Sequence, residues 1–267
     1  MKEDRFWRKS WDEGLEDLDP ARFETTYTEL VRPVFRKFPE KPACAYFGRH
    51  VSYAELDRAS NRFAHMLLAQ GFQKGDVVGI SLPNMPEYLF AWLGTLKAGC
   101  VVSGVSPLLS TAQTAYQLRD SRAKGFVTLD ISFADKVPEL AAQLEALRLI
   151  VTAKAGSFLP GFEGKVTPIA GRTVYLFEEI LAEGTFPTTE PRIEITPDDI
   201  AYLQYTGGTT GVPKGAMLSH RNSVADLLIY QKWLGWKEGE VTALCGFPFF
   251  LIAGIFVNAN GIYLGGL

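Results

Sequence analysis

One stretch of the chain concentrates groups able to hold phosphate: Leu203-Gln-Tyr-Thr-Gly-Gly-Thr-Thr-Gly-Val-Pro-Lys-Gly215. Three glycines and three threonines precede one lysine, after a run, Ile200-Ala-Tyr-Leu-Gln-Tyr205, that reads as a strand. Gly207, Gly208 and Gly211 leave no Cβ between backbone and ligand, so consecutive N–H groups can converge on phosphate oxygens. Thr206, Thr209 and Thr210 add hydroxyls. Lys214 adds a mobile positive charge that can follow charge appearing on a leaving phosphate, and Pro213 stiffens the exit. The order differs from G-x-x-x-x-G-K-[ST]: Lys214 precedes Gly215 and neither Ser nor Thr follows it at the magnesium position, so the Walker reading fails. A ligand-free Gly/Thr hairpin is the bland alternative, but a turn alone needs far fewer such residues.

The loop requires a frame, and strand and helix alternate before it. A surface helix is expected over Phe23 to Phe38, ending at Pro39, then two short strands, Ala43–Phe47 and Val51–Tyr53, around a turn. Ser52 and Glu55 form a capping box for a helix that places Leu56, Ala59, Phe63 and Leu67 on one face, with Gly71 as its stop. Asp76–Leu82 reads as a strand, and Asn84, Pro86 and Glu87 open a helix to Ala98-Gly99. Cys100–Val105 is the next strand, and Ser110 with Gln113 caps a helix to Asp120. Strands Gly125–Leu129 and Arg148–Thr152 flank a helix from about Phe133 to Leu147. Ala153–Pro168 reads as a surface loop, Tyr175–Glu183 as a short helix, and Gly184–Pro197 as a linker. After the loop, Ser219 caps a helix through Leu234 that Gly235 ends. This alternation predicts an α/β fold of mostly parallel sheet covered by helices.

The composition, 47% hydrophobic and 21% charged over 267 residues, is globular. A net charge of -3 gives no general attraction to nucleic acid, so a nucleic-acid partner is not expected. Cys44, Cys100 and Cys245 are odd in number, widely spaced and set among apolar or small residues, as reduced core cysteines of a cytoplasmic protein are. His50, His65 and His220 share no metal-ligand spacing with them. The N-terminus lacks a signal-peptide core. Val241–Leu267 carries no charged residue and is long enough for a bilayer, yet Pro248, Asn258, Asn260 and five glycines divide it. A buried strand, loop and helix is the expected reading there.

The loop resembles that of the adenylate-forming (AMP-binding) superfamily, Tyr-Thr-Ser-Gly-Thr-Thr-Gly-x-Pro-Lys-Gly, from Tyr205 to Gly215, with Gly207 in the serine slot. Met217-Leu-Ser-His-Arg-Asn222 resembles the segment that follows it in acyl-CoA synthetases. Leu96-Lys-Ala-Gly-Cys100, Ser106-Pro107 and Tyr116–Ser121 are similar to family segments that support the sheet, and a structural role is expected of them. Pro248-Phe-Phe-Leu-Ile-Ala-Gly254 resembles the Pro-Leu-Phe-His-x-x-Gly turn that lines the carboxylate pocket, with Leu251 where many members carry histidine. Losing that imidazole leaves an apolar wall and favours a greasy acid.

The Thr-, Pro- and Glu-rich linker near 184–197 is where a subdomain break is expected. The resemblance implies the N-terminal large domain of the adenylate-forming fold across residues 1–267, incomplete at its C-terminus, with the C-terminal lid domain absent. It implies two half-reactions. A carboxylate attacks the α-phosphorus of ATP and expels pyrophosphate, then a thiol, usually CoA, displaces AMP. Carried onto this chain, Thr206, Gly207, Gly208, Thr209, Thr210, Gly211 and Lys214 would bind ATP, with Thr206 and Lys214 as the catalytic pair and Thr206 a ligand of Mg²⁺. Phe250, Leu251 and Gly254 would line the acid pocket. The expected enzyme is a medium- or long-chain fatty-acid–CoA ligase, and an aryl-CoA ligase or other adenylating enzyme is the alternative. The family's later glutamate, aspartate and lysine have no counterpart in the sequence, so the 267 residues alone are expected to be nearly inactive. From another class comes a non-catalytic half-domain that binds nucleotide or a protein partner. The expected location is cytoplasmic, with peripheral membrane contact left open.

Overall fold

A computed structural model describes residues 5–206 and 211–267. The first long helix, α1 (Tyr27–Lys37), starts later than the spacing suggested. Pro20–Phe23 form a separate 3-10 turn, and a capping box of Thr26 and Glu29 sets the start. A hairpin of β1 (Pro42–Tyr46) and β2 (Arg49–Ser52) leads into α2 (Tyr53–Ala69), which the Ser52–Glu55 box caps as expected. There follow β3 (Val77–Ser81), α3 (Pro86–Lys97), β4 (Val101–Gly104), α4 (Thr111–Asp120), β5 (Gly125–Leu129) and α5 (Phe133–Gln143). α5 stops short of Leu147 because the chain turns extended at Leu144, and both leucines are buried in the core there.

Beyond β6 (Leu149–Ala153) the expected helix at Tyr175 is a strand first: β7 (Thr173–Leu176), then only a short α6 (Phe177–Leu181). Pairing decides the difference, since β7 is held in register against β6 from Thr173↔Leu149 to Leu176↔Thr152, an option invisible to local spacing. β8 (Ile200–Thr206) and β9 (Lys214–Ser219) form the hairpin around the loop, and α7 (His220–Leu234) and α8 (Ile252–Tyr263) complete the chain. The strand expected within Val241–Leu267 is not formed; residues 241–251 are irregular up to α8. Among the described residues, no helix is long and apolar enough to cross a membrane.

Seven strands form one sheet in the order β7-β6-β5-β3-β4-β8-β9. All pairs are parallel except β8–β9. From β3 the chain steps one way to β4, then back across β3 to β5, so right-handed crossovers put α3 and α4 on opposite faces. The two cores agree. One gathers α1, α2, α3 and α8 around Trp92, and the other gathers α4 and α5 around Phe126. In such a doubly wound sheet the crevice for ligand lies beyond the carboxyl ends of the strands where the order reverses.

The Leu-Lys-Ala-Gly segment proves structural. Lys97, buried at the end of α3, donates to Asp57 Oδ1 (2.6 Å), Asn61 Oδ1 (2.7 Å) and Ser60 Oγ (2.9 Å). Burial lowers its pKa, and the Asp57 carboxylate opposes that shift. The connection to β8 is strapped over the same helices. Arg32 makes a bidentate pair with Glu190 (2.8 and 3.0 Å), and Asn61 Nδ2 donates to the Thr188 carbonyl (2.7 Å).

Candidate functional site

The strand before the loop is β8, and it delivers Thr206 to the carboxyl edge of the sheet. Register places Thr206 directly opposite Lys214, the first residue of β9. Directly opposed residues of an antiparallel pair share a face, with Cβ atoms about 5 Å apart. The two proposed catalytic side chains therefore stand together at the mouth of the loop, both exposed. Gly207, Gly208, Thr209 and Thr210 lie outside the described residues. Gly211 is exposed, and a Cβ built on it would meet nothing within 4 Å.

Side chains alternate along β8, so Gln204 shares the face of Thr206 and Tyr205 takes the other. Gln204 Nε2 donates to the Phe250 carbonyl (3.3 Å), which brings the turn at Pro248 beside the phosphate-loop strand. Gly104, at the end of β4, fixes the same turn, because a Cβ there would come within 2.4 Å of the Phe250 oxygen. From the loop after β3, Asn84 holds the turn from a third side. It accepts from the Phe249 N–H (2.8 Å) and donates to the Phe247 carbonyl (2.9 Å). The carboxyl ends of β3, β4 and β8 thus converge on one turn.

Of the three residues expected to line an acid pocket, Leu251 is 42% exposed and caps α8, and Phe250 is half-buried. Gly254 is buried, and a Cβ there would lie 2.1 Å from the Pro248 carbonyl oxygen. What its bareness makes room for here is the turn itself. Phe249 is core, edge-to-face with Tyr88. In the same stretch Leu244 is fully exposed and Phe247, next to Pro248, is 58% exposed.

On the opposite face of the hairpin, Tyr205 Oη donates to Asp120 Oδ2 (2.5 Å). Its ring lies over Gly215, 3.1 Å from where a Cβ would be. Burial raises the Tyr205 pKa, and the bond to Asp120 raises it further, so the phenol stays protonated and donates. At the end of β9, His220 is buried; its backbone N–H donates to the Asp199 carbonyl (3.0 Å), and its ring Nδ1 has no partner among the described residues. Burial pushes its pKa down to about 4. Among the described residues no group of three His, Cys, Asp or Glu could hold a metal ion. All three cysteines are free.

Asn84, Gln204, Asp120 and Tyr116 had no site role in the sequence reading. All four lay in segments singled out for other reasons: Asn84 at a helix start, Gln204 in a strand, and Tyr116 and Asp120 in a sheet support.

Fold and site together define a class: an open, doubly wound α/β sheet with Thr206 and Lys214 paired and exposed at its carboxyl edge. The profile of the AMP-binding enzyme family matches residues 31–267, and the chain belongs to that family. It is 32% identical over 248 residues to a long-chain-fatty-acid–CoA ligase of Bacillus subtilis, covering 88% of this chain and 44% of that protein. A 3-hydroxybenzoate–CoA/4-hydroxybenzoate–CoA ligase of Thauera aromatica is 30% identical, over 84% of this chain and 40% of its own length. The chain thus spans less than half the length of these relatives. Among solved structures, the anthranilate CoA ligase AuaEII in complex with anthranoyl-AMP superposes with a TM-score of 0.75 at 21% identity, covering 93% of this chain and 46% of that one. ATP-bound MatB from Rhodopseudomonas palustris gives 0.72 at 25% identity, over 91% and 44%.

Proposed function

We propose that this chain carries the nucleotide half of a site that activates a carboxylic acid with ATP as an acyl-adenylate and passes it to CoA. The observation that carries the reading is the opposition of Thr206 and Lys214 across the hairpin mouth, with the Pro248–Leu251 turn held beside them by Gln204. Adenylation moves negative charge onto departing pyrophosphate, and the protein's part is mostly positioning and charge stabilisation. Lys214 supplies the charge, the loop N–H groups and Thr209 and Thr210 supply donors, and Thr206 supplies a hydroxyl. Mg²⁺ would suit such a site, because it would supply positive charge against the phosphates and needs few protein oxygens. Thr206 is the residue of this chain that would offer it one.

The acid is assigned as a medium- or long-chain fatty acid, on the apolar, partly exposed Leu251 and the exposed Phe247 of the same turn. The hydroxybenzoate-specific relative at 30% identity supports an aryl acid as the second reading. The test is acid-dependent exchange of ATP with pyrophosphate, using the protein as its native cell makes it. Exchange that rises with acyl chain length and falls at least a hundredfold in Lys214→Ala supports the proposal, on the order of what one lost charge-stabilising donor costs. Preference for benzoate-type acids selects the aryl reading. Equal exchange with and without Lys214 removes the loop from the chemistry.

A further inference from the structure

Helix α4 touches both stems of the phosphate-loop hairpin, and nothing in the reaction proposed above uses those contacts. Tyr205, one residue before Thr206, donates to Asp120 on α4 (2.5 Å). Tyr116, also on α4, donates from its hydroxyl to the carbonyl of Pro213 (2.9 Å), one residue before Lys214. Tyr116 and Asp120 are four residues apart, so they project from one face of the helix. Each stem is therefore tied immediately beside the side chain that would meet ATP.

The helix is itself fixed to the sheet. Gln117, buried between those two residues, donates from Nε2 to Ser103 Oγ (3.0 Å) and to the Gly104 carbonyl (2.9 Å). The segment leading into α4 is held by Lys136, whose Nζ donates to the carbonyls of Pro107 (2.8 Å) and Leu109 (2.7 Å). Gly215 fits the arrangement closely, since a Cβ there would stand 3.1 Å from the Tyr205 ring that reaches Asp120. A continuous line runs from β4 through Gln117 to α4, and from α4 to the loop.

We propose that α4 is a positioning element for nucleotide, with Tyr205, Asp120 and Tyr116 as positioning residues that set the separation and tilt of the two loop stems. The proposal rests on the nucleotide reading of the loop. These residues touch no phosphate in this arrangement. Their effect is to hold Thr206 and Lys214 in place before ATP arrives, so that less ordering is left to binding. Loss of the clamp should weaken ATP and leave the affinity for acid unchanged.

The experiment is calorimetric titration of MgATP into wild type, Tyr205→Phe, Tyr116→Phe, Asp120→Ala, Asp120→Asn and Lys214→Ala, with thermal midpoints and the KM for acid measured alongside. Tyr205→Phe and Asp120→Ala should each weaken MgATP roughly two- to tenfold, as one modest hydrogen bond does, and their double variant should lose no more than either alone. Asp120→Asn keeps an acceptor oxygen for the tyrosine but not its charge, and should lose clearly less affinity than Asp120→Ala. Tyr116→Phe should cost less, its bond being neutral. The proposal is overturned if the clamp variants bind MgATP like wild type while Lys214→Ala does not, or if Asp120→Asn fails with Asp120→Ala. It is overturned too if the KM for acid rises in step with that for ATP. Absence of MgATP binding by wild type would bring down the nucleotide reading and the clamp together.

Discussion

The middle of the sheet and its β8–β9 edge are built from the same kinds of residue and held in opposite ways. β3, β5 and β6 are buried at every position, and β5 and β6 share an unbroken five-residue register, Gly125↔Leu149 to Leu129↔Ala153. β8 is joined to β4 at a single registered pair, Val102↔Tyr202, and β9 is largely exposed. Covering both faces of a strand maximises the apolar area removed from water, but it leaves no surface for a ligand. The edge gives up that burial and gains exposed polar side chains at the carboxyl ends of the strands. Burial and exposed polar side chains are thereby assigned to different strands of one sheet.

The sharpest break of this comparison is a deletion in the middle. Phe126→Ala removes a fully buried ring from β5 and should destabilise by about 3–5 kcal/mol, seen as a lower denaturant midpoint, with nucleotide affinity of the remaining folded protein unchanged. A cost below about 1 kcal/mol would mean that the middle is not the stabilising region. The next effect concerns His220 at the root of the edge. Its folded pKa of about 4 lies below the ordinary 6.5, so the unfolded chain takes up a proton that the folded one refuses. Its contribution is complete above about pH 6.5 and is lost as pH falls towards 4, by up to about 3 kcal/mol. Thermal midpoints measured between pH 7.5 and 4 should fall more steeply for wild type than for His220→Leu; parallel profiles would refute this.

A smaller effect is expected where the two regions meet. Gly104→Ala forces a Cβ against the Phe250 carbonyl, an overpacking worth about 1–3 kcal/mol, and should raise the KM for acid more than that for ATP because it displaces the Pro248 turn. A uniform change in both constants would show that the turn is not independent of the loop. Smallest in stability is Lys214→Ala, an exposed change expected within about 0.5 kcal/mol of wild type despite its large effect on exchange. A marked fall in its midpoint would mean that the edge supports the fold after all.

The elements that sequence revealed were those whose signals are local. The Ser52–Glu55 and Ser110–Gln113 boxes and the Ser219 cap all start helices where their spacing said they would, because each is satisfied within one turn. Tyr175 and Leu176, expected to begin a helix, end a strand instead, because their partner β6 is supplied by a parallel crossover that local spacing does not reveal. The site shows the same division. The residues from Tyr205 to Gly215 drew attention as a candidate loop by their types alone, and the hairpin of β8 and β9 encloses them. The supports of that loop were hidden, since Tyr205 meets Asp120 across 85 residues, Tyr116 meets Pro213 across 97, and Asn84 meets Phe249 across 165. An asparagine before a proline looks like a helix start whether or not it also staples a distant turn.

The strapped connection between β7 and β8 also bears on the order of assembly. It carries the chain from one edge of the sheet to the other, past β6, β5, β3 and β4, before β8 can pair. A hairpin such as β8–β9 can close on itself within about 1–10 μs. Its docking against β4 must await a contact between residues as distant as Val102 and Tyr202, and the chain entropy of that closure has to be overcome before it is rewarded. The loop-bearing edge should therefore be the last part of the sheet to gain protection when the protein refolds. Pulse-labelled amides of β5 and β6 should become protected before those of β8, and the reverse order would show that the ligand edge nucleates the fold on which it sits.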